Sequence, residues 1–109
     1  MSTLIQESFL TGKVGFLTYR GLLRADLTQE RFQVAFVWGT IVTSVPIDQI
    51  KEVREVRNVI EFGVCVIWQD GYAHKEFKFR SSRRNKWIAA FQRLGIVIKP
   101  ASGWFDFHQ

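Results

Sequence analysis

The hydrophobic period of this chain changes once, near residue 81, and that change restricts its architecture more than any other feature. Upstream, apolar residues come in short runs bounded by turn residues, with the cleanest alternation at Phe32, Val34, Phe36 and Trp38. Downstream, Trp87, Ile88, Phe91 and Leu94 fall at i, i+1, i+4 and i+7. A period of two makes a strand with one buried face, and the second spacing makes a helix with one apolar stripe. The pattern predicts a mainly β domain: a bent antiparallel sheet or partly open barrel capped by a C-terminal helix.

The strands follow from their punctuation. Val14 to Tyr19 reads as the first, between Gly12 and Gly21, and Leu22 to Leu27 as the second. Phe32 to Trp38 is the third, with Gln33 and Ala35 on its other face. Gly39 permits a reversal into β-branched Ile41 to Val45, and Pro46 ends that strand because it has no N–H for the ladder. Ile47, Ile50, Val53 and Val56 recur every three residues, a helical spacing. The β-branched Val53, Val56, Val59 and Ile60 favour a short turn at Ile47 to Gln49 and then a strand. Continuously apolar Val64 to Trp68 reads as a strand covered on both faces, and Asp70-Gly71 as a type I′ hairpin turn. On the return, Tyr72 to Arg80, Phe77 and Phe79 face the core while Glu76, Lys78 and Arg80 face water. Ser82 is the expected N-cap of the helix and Gly95 its stop. A helix under about fifteen residues is marginal alone, so this one must lie on the sheet, anchored by Trp87 and Phe91.

The 109 residues suit one domain, and 47% apolar content is ample for a core. Residues 1–12 read as an N-terminal extension, 13–95 as the domain and 96–109 as an aromatic tail outside the sheet. Cys65 is the single cysteine, so an internal disulfide is excluded and a reducing, cytoplasmic setting is expected. No apolar run reaches membrane-spanning length, and Met1 to Leu10 does not read as a signal peptide. The net charge is +5, and it is concentrated. Lys75, Lys78, Arg80, Arg83, Arg84, Lys86 and Arg93 stand against Glu76 alone between residues 75 and 93.

Three stretches resemble the pleckstrin-homology-like superfamily, including its GRAM and bacterial pleckstrin-like branches. Asp26-Leu27-Thr28-Gln29-Glu30-Arg31-Phe32 is similar to an L-T-x-x-R hairpin of those families. Val45-Pro46-Ile47-Asp48-Gln49-Ile50 resembles their (I/V)-P-(L/I)-x-x-I step, and Gln69-Asp70-Gly71 with Phe77-Lys78-Phe79 resembles the late hairpin that feeds the helix. The resemblance spans roughly Lys13 to Gly95. It implies a binding scaffold, since members bind phosphoinositides, acidic lipid surfaces or peptides, and bacterial members often self-assemble. The lipid-binding branch carries basic residues between its first two strands; this chain has only Arg20 and Arg24 around Gly21.

Candidate sites are few. The stretch holding Lys78, Arg80, Ser82, Arg83, Arg84 and Lys86 ends where a helix begins, and helix N-termini favour anions. A phosphate or carboxylate would fit there; the plainer reading is a solvated face with the arginines paired to acids elsewhere. Trp104, Phe105 and Phe107 in the tail either cover the domain's own apolar edge or insert into a partner. His74, Glu76 and His108 supply too few ligands for a zinc site. Cys65, inside an apolar run, reads as a core filler rather than a nucleophile. Asp26, Asp48 and Asp70 sit at turns, and Glu52, Glu55 and Glu61 alternate with cations, so no acid/base pair stands out. No phosphate-cradling glycine motif occurs, and no cofactor or metal is expected. The reading that follows is a non-catalytic module for protein–protein interaction or self-association, with a homo-oligomer among its outcomes. Its alternative is a binder of anionic membrane surfaces or phosphorylated headgroups, peripheral at a membrane. Nucleic acid ranks last, because Phe77 and Phe79 are needed by the core and stacking requires exposed rings.

Overall fold

The computed structural model describes residues 3–14, 17–57 and 62–99. The elements are β1 (Thr3–Val14), β2 (Leu17–Thr28), β3 (Arg31–Phe36), β4 (Ile41–Pro46), a 3-10 turn (Ile47–Gln49), β5 (Ile50–Arg57), β6 (Phe62–Asp70), β7 (Ala73–Arg80), α1 (Arg84–Arg93) and β8 (Ile98–Lys99). They form one eight-stranded sheet in the order β4-β3-β2-β1-β7-β6-β5-β8, with α1 against it. The mainly β architecture with one packed helix is as the periodicity predicts. The turn at Ile47 to Gln49 followed by a strand also matches the sequence reading.

The sheet departs from expectation in two ways. It is open, with β4 and β8 as its two edges, rather than rolled into a barrel. It is mixed, because β8 pairs in parallel with β5 through Val53↔Ile98 and Arg54↔Lys99. Ile98 and Lys99 therefore belong to the sheet and not to an external tail. A Val53 N–H bond to the Val97 carbonyl (2.9 Å) and a Lys99 Nζ contact with Glu52 (3.4 Å) hold them there.

β1 is the larger correction. Residues assigned to an extension form a central strand that pairs with β2 on one side and with β7 on the other. Its register slips between Thr3 and Ile5, between Glu7 and Leu10, and between Leu10 and Gly12. Each bulge shifts the phase of alternation, so no period of two survives to be read. Phe9 marks the middle bulge with φ 60°, a left-handed conformation unusual outside glycine.

These bulges bend the sheet. β3 and β7 are three strand spacings apart, about 14 Å if the sheet were flat. Yet the Phe32 ring of β3 lies 6.2 Å from Phe77 and 6.3 Å from Phe79 of β7, and 6.1 Å from Trp87 and 5.7 Å from Phe91 of α1. All five rings are fully buried, with Leu23, Leu27, Val34, Val53 and Val64 around them. α1 ends as the sequence predicts. Gly95 (φ 79°) donates to the Gln92 carbonyl and Ile96 to that of Phe91, the Schellman pattern that satisfies the last carbonyls.

Three local expectations are also revised. β3 stops at Phe36, so Trp38 lies in the β3–β4 loop and is exposed. Asp70 pairs with Ala73, which leaves Gly71 (φ 63°) and Tyr72 as the two loop residues. Glycine in the first loop position is the type II′ pattern, not type I′. Lys78, expected in water, is buried at 8% exposure.

Gly12 faces the inside of the bend. A Cβ there would stand 2.8 Å from Phe77 Cζ and 3.0 Å from Leu23 Cδ1, both fully buried side chains with nowhere to retreat. Gly12→Ala is expected to destabilise the domain by about 1–3 kcal/mol, measured by urea unfolding.

Candidate functional site

The start of α1 is built from distant parts of the chain. Trp87 must be buried to seal the core, so its indole N–H needs an acceptor. Glu7 supplies it. The β1 bulge sets Glu7 opposite Ala25, on the core side of the sheet, and its Oε1 accepts from Trp87 Nε1 at 2.8 Å and from Ser81 Oγ at 2.6 Å. Ser81 Oγ in turn accepts from the Arg83 N–H at 2.9 Å, and Arg83 Nη1 donates to the Gln6 carbonyl at 3.3 Å. The N-cap residue is Arg83, without a side-chain cap of its own. Ser81, not Ser82, thus provides the oxygen at the helix start.

The negative charge that a helix N-terminus favours comes from the chain's own Glu7. The six candidate anion ligands are spread over β7, the turn after it and α1. Lys78 lies on the face of β7 away from Phe77 and Phe79, with Nζ 3.9 Å from Glu76. Arg80 is exposed at the end of β7; Ser82 and Arg83 are exposed in the turn; half-buried Arg84 begins the helix; Lys86 is exposed on it.

Cys65 is buried on β6, directly opposite Arg54 on one side and Lys78 on the other. Its thiol donates to Glu76 Oε2 at 3.3 Å. Burial, reinforced by the Glu76 charge, pushes its pKa far above the ordinary thiol range. The group is a neutral thiol, the opposite of an activated nucleophile. Among the described residues no three metal-ligating side chains gather, and no helix is long and apolar enough to cross a membrane. His108 and the partner-binding candidates Trp104, Phe105 and Phe107 lie outside the described residues.

An open groove of about 350 Å³ runs over the outer face of β1–β3, lined by Gln6, Asp26, Glu30, Arg31 and Gln33 among others. Asp26 is engaged by Arg24 at 3.3 Å, and Arg31 donates to Ser44 Oγ at 2.9 Å.

The feature that sequence reasoning missed lies at the far end of β2–β4. From half-buried Tyr19 an aromatic stack runs to Phe36 (5.1 Å, edge-on) and then to Trp38 (4.5 Å, 7° between planes). Trp38 is 63% exposed, and Leu22 (40%) and Ile41 (57%) are exposed at the same end. The stack and a bond from Trp38 Nε1 to Thr40 Oγ1 (3.1 Å) hold the ring in place. The available signal was a tryptophan directly before Gly39, in a loop where polar residues are usual. A scan against protein-family models and a search of curated proteins return no match for this chain.

Two measurements check the geometry. Glu7→Ala leaves the Trp87 N–H buried without its acceptor and is expected to cost about 1–3 kcal/mol in urea unfolding; Glu7→Gln keeps a carbonyl in place and should cost less. Cys65 should resist alkylation at pH 8 in the native protein and react at once in denaturant, as read by mass spectrometry.

Proposed function

We propose that this chain is a pleckstrin-homology-like binding module, without catalytic chemistry, that engages another polypeptide through the end of the sheet bearing Leu22, Trp38 and Ile41. One observation carries the reading. A tryptophan is held by ring stacking and a hydrogen bond yet left mostly in water, at the end of the sheet where Leu22 and Ile41 are also exposed. Leaving each large apolar side chain exposed forgoes roughly 1.5–3 kcal/mol of burial, and pre-positioned aromatic rings are the usual anchors of protein interfaces. Support for the superfamily comes from the run β4-β3-β2-β1-β7-β6-β5 followed by a helix on the sheet. The anionic-surface alternative rests on the basic residues of β7 and the start of α1, where the chain's own Glu7 already supplies a carboxylate.

A photo-crosslinking amino acid at position 38, compared with one at the hairpin-tip residue Tyr72, tests this in cells producing the protein. The expected result is a polypeptide adduct from position 38 and none from position 72. Equal labelling at both positions, lipid adducts alone, or no adduct at 38 sinks the reading.

A further inference from the structure

We infer that the free edge of β4 pairs with the same edge of a second copy, antiparallel across a two-fold axis at Ser44. The inference rests on the association reading above and names the partner.

The two edges of the sheet are treated differently. At one, β8 covers Val53 and Arg54 of β5, and Lys51, Glu52, Arg54 and Glu55 charge the strand. Covering and charging an edge are the common protections against strand addition. At the other, Ile41-Val42-Thr43-Ser44-Val45 has no charge and is mostly β-branched, and among the described residues it has a ladder to β3 alone. Arg31 of β3 reaches this stretch, donating to Ser44 Oγ at 2.9 Å. From residue 32 to residue 50 the only charged side chain is Asp48, in a chain of net charge +5. Like charge resists self-association over the basic parts of this surface, and β4 itself adds none.

The backbone direction fits. Ile47 N–H donates to the Glu30 carbonyl (3.0 Å) and Phe36 N–H to that of Thr40 (2.8 Å). With the register Phe32↔Val45, Gln33↔Ser44 and Val34↔Thr43, antiparallel alternation assigns the β3-facing bonds to Val45 and Thr43. The N–H and C=O of Ser44 therefore point away from β3. So does the nitrogen of Pro46, which spares the β3 ladder but leaves an added strand one donor short on each side of the axis. Two such edges are self-complementary. Each Ser44 N–H meets the other copy's Ser44 carbonyl, and exposed Ile41 of each copy comes opposite Ile47 of the other. One six-residue edge makes a small contact, in the class below about 1,200 Å², so the dimer is reversible and concentration-dependent.

Sedimentation velocity of the full chain over a concentration series tests this. The expected result is a species of twice 12.7 kDa that grows with concentration. Ser44→Lys and Ser44→Glu, each alone, set like charges across the axis and should lose the dimer. An equimolar mixture of the two should restore it, which also shows that both variants fold. Wild-type protein that stays at 12.7 kDa, variants that dimerise like wild type, or a mixture that stays monomeric overturns the inference. A monomeric wild type that still gives polypeptide adducts from position 38 overturns the second copy alone and leaves the association reading standing.

Discussion

The structure depends on the Phe32 ring reaching across the sheet. β3 and β7 are separated by β2 and β1, so their side chains meet only if those strands curve. The bulges of β1 provide the curvature, and Gly12 gives Phe77 room to lie against the strand. Once Phe32, Phe77 and Phe79 are gathered, an apolar hollow exists that a helix must fill. Trp87 and Phe91 fill it, with Trp87 edge-on to Phe79 at 5.2 Å. Aromatic pairs in such geometry add to their burial roughly 0.5–1.5 kcal/mol each, so the sheet's bend and the helix's position stabilise each other.

The same bend explains the chemistry at the helix start. Turning β1 inward brings Glu7 to the rim of the core, where one carboxylate oxygen accepts hydrogen bonds from both the Trp87 N–H and the Ser81 hydroxyl. A polar atom next to a sealed aromatic core would be costly unless paired; here it pairs twice and ties the first strand to the helix more than seventy residues later.

What remains outside this economy is the Trp38 end and the β4 edge. Both sit on the portion of chain nearly free of charge, and both present groups that folding alone leaves unused: a fixed ring, exposed aliphatics and outward backbone groups at Ser44. The opposite edge carries a covering strand and a charged β5. That contrast within one sheet is the physical basis of the proposed association.

Period and punctuation were enough to place most elements. Phe32 and Val34 alternate strictly because β3 is regular, and Trp87, Ile88 and Phe91 show one stripe because α1 covers one hollow. Ile47 to Gln49 was legible because Pro46 ends a ladder. Local pattern failed where long-range geometry sets the conformation. β1 is invisible to alternation because its bulges are demanded by the bend. Ile98 and Lys99 are too few to show a period and become a strand only because β5 has an open edge beside them. Lys78 alternates as a solvent residue yet is buried, and the cap falls on Ser81 because Glu7 approaches it. By itself the amino-acid sequence determined which residues must leave water and at what spacing, since that is a property of neighbours along the chain. Only the tertiary structure decided where the sheet bends, which acid meets the helix and which edge stays open, because those depend on side chains tens of residues apart meeting in space.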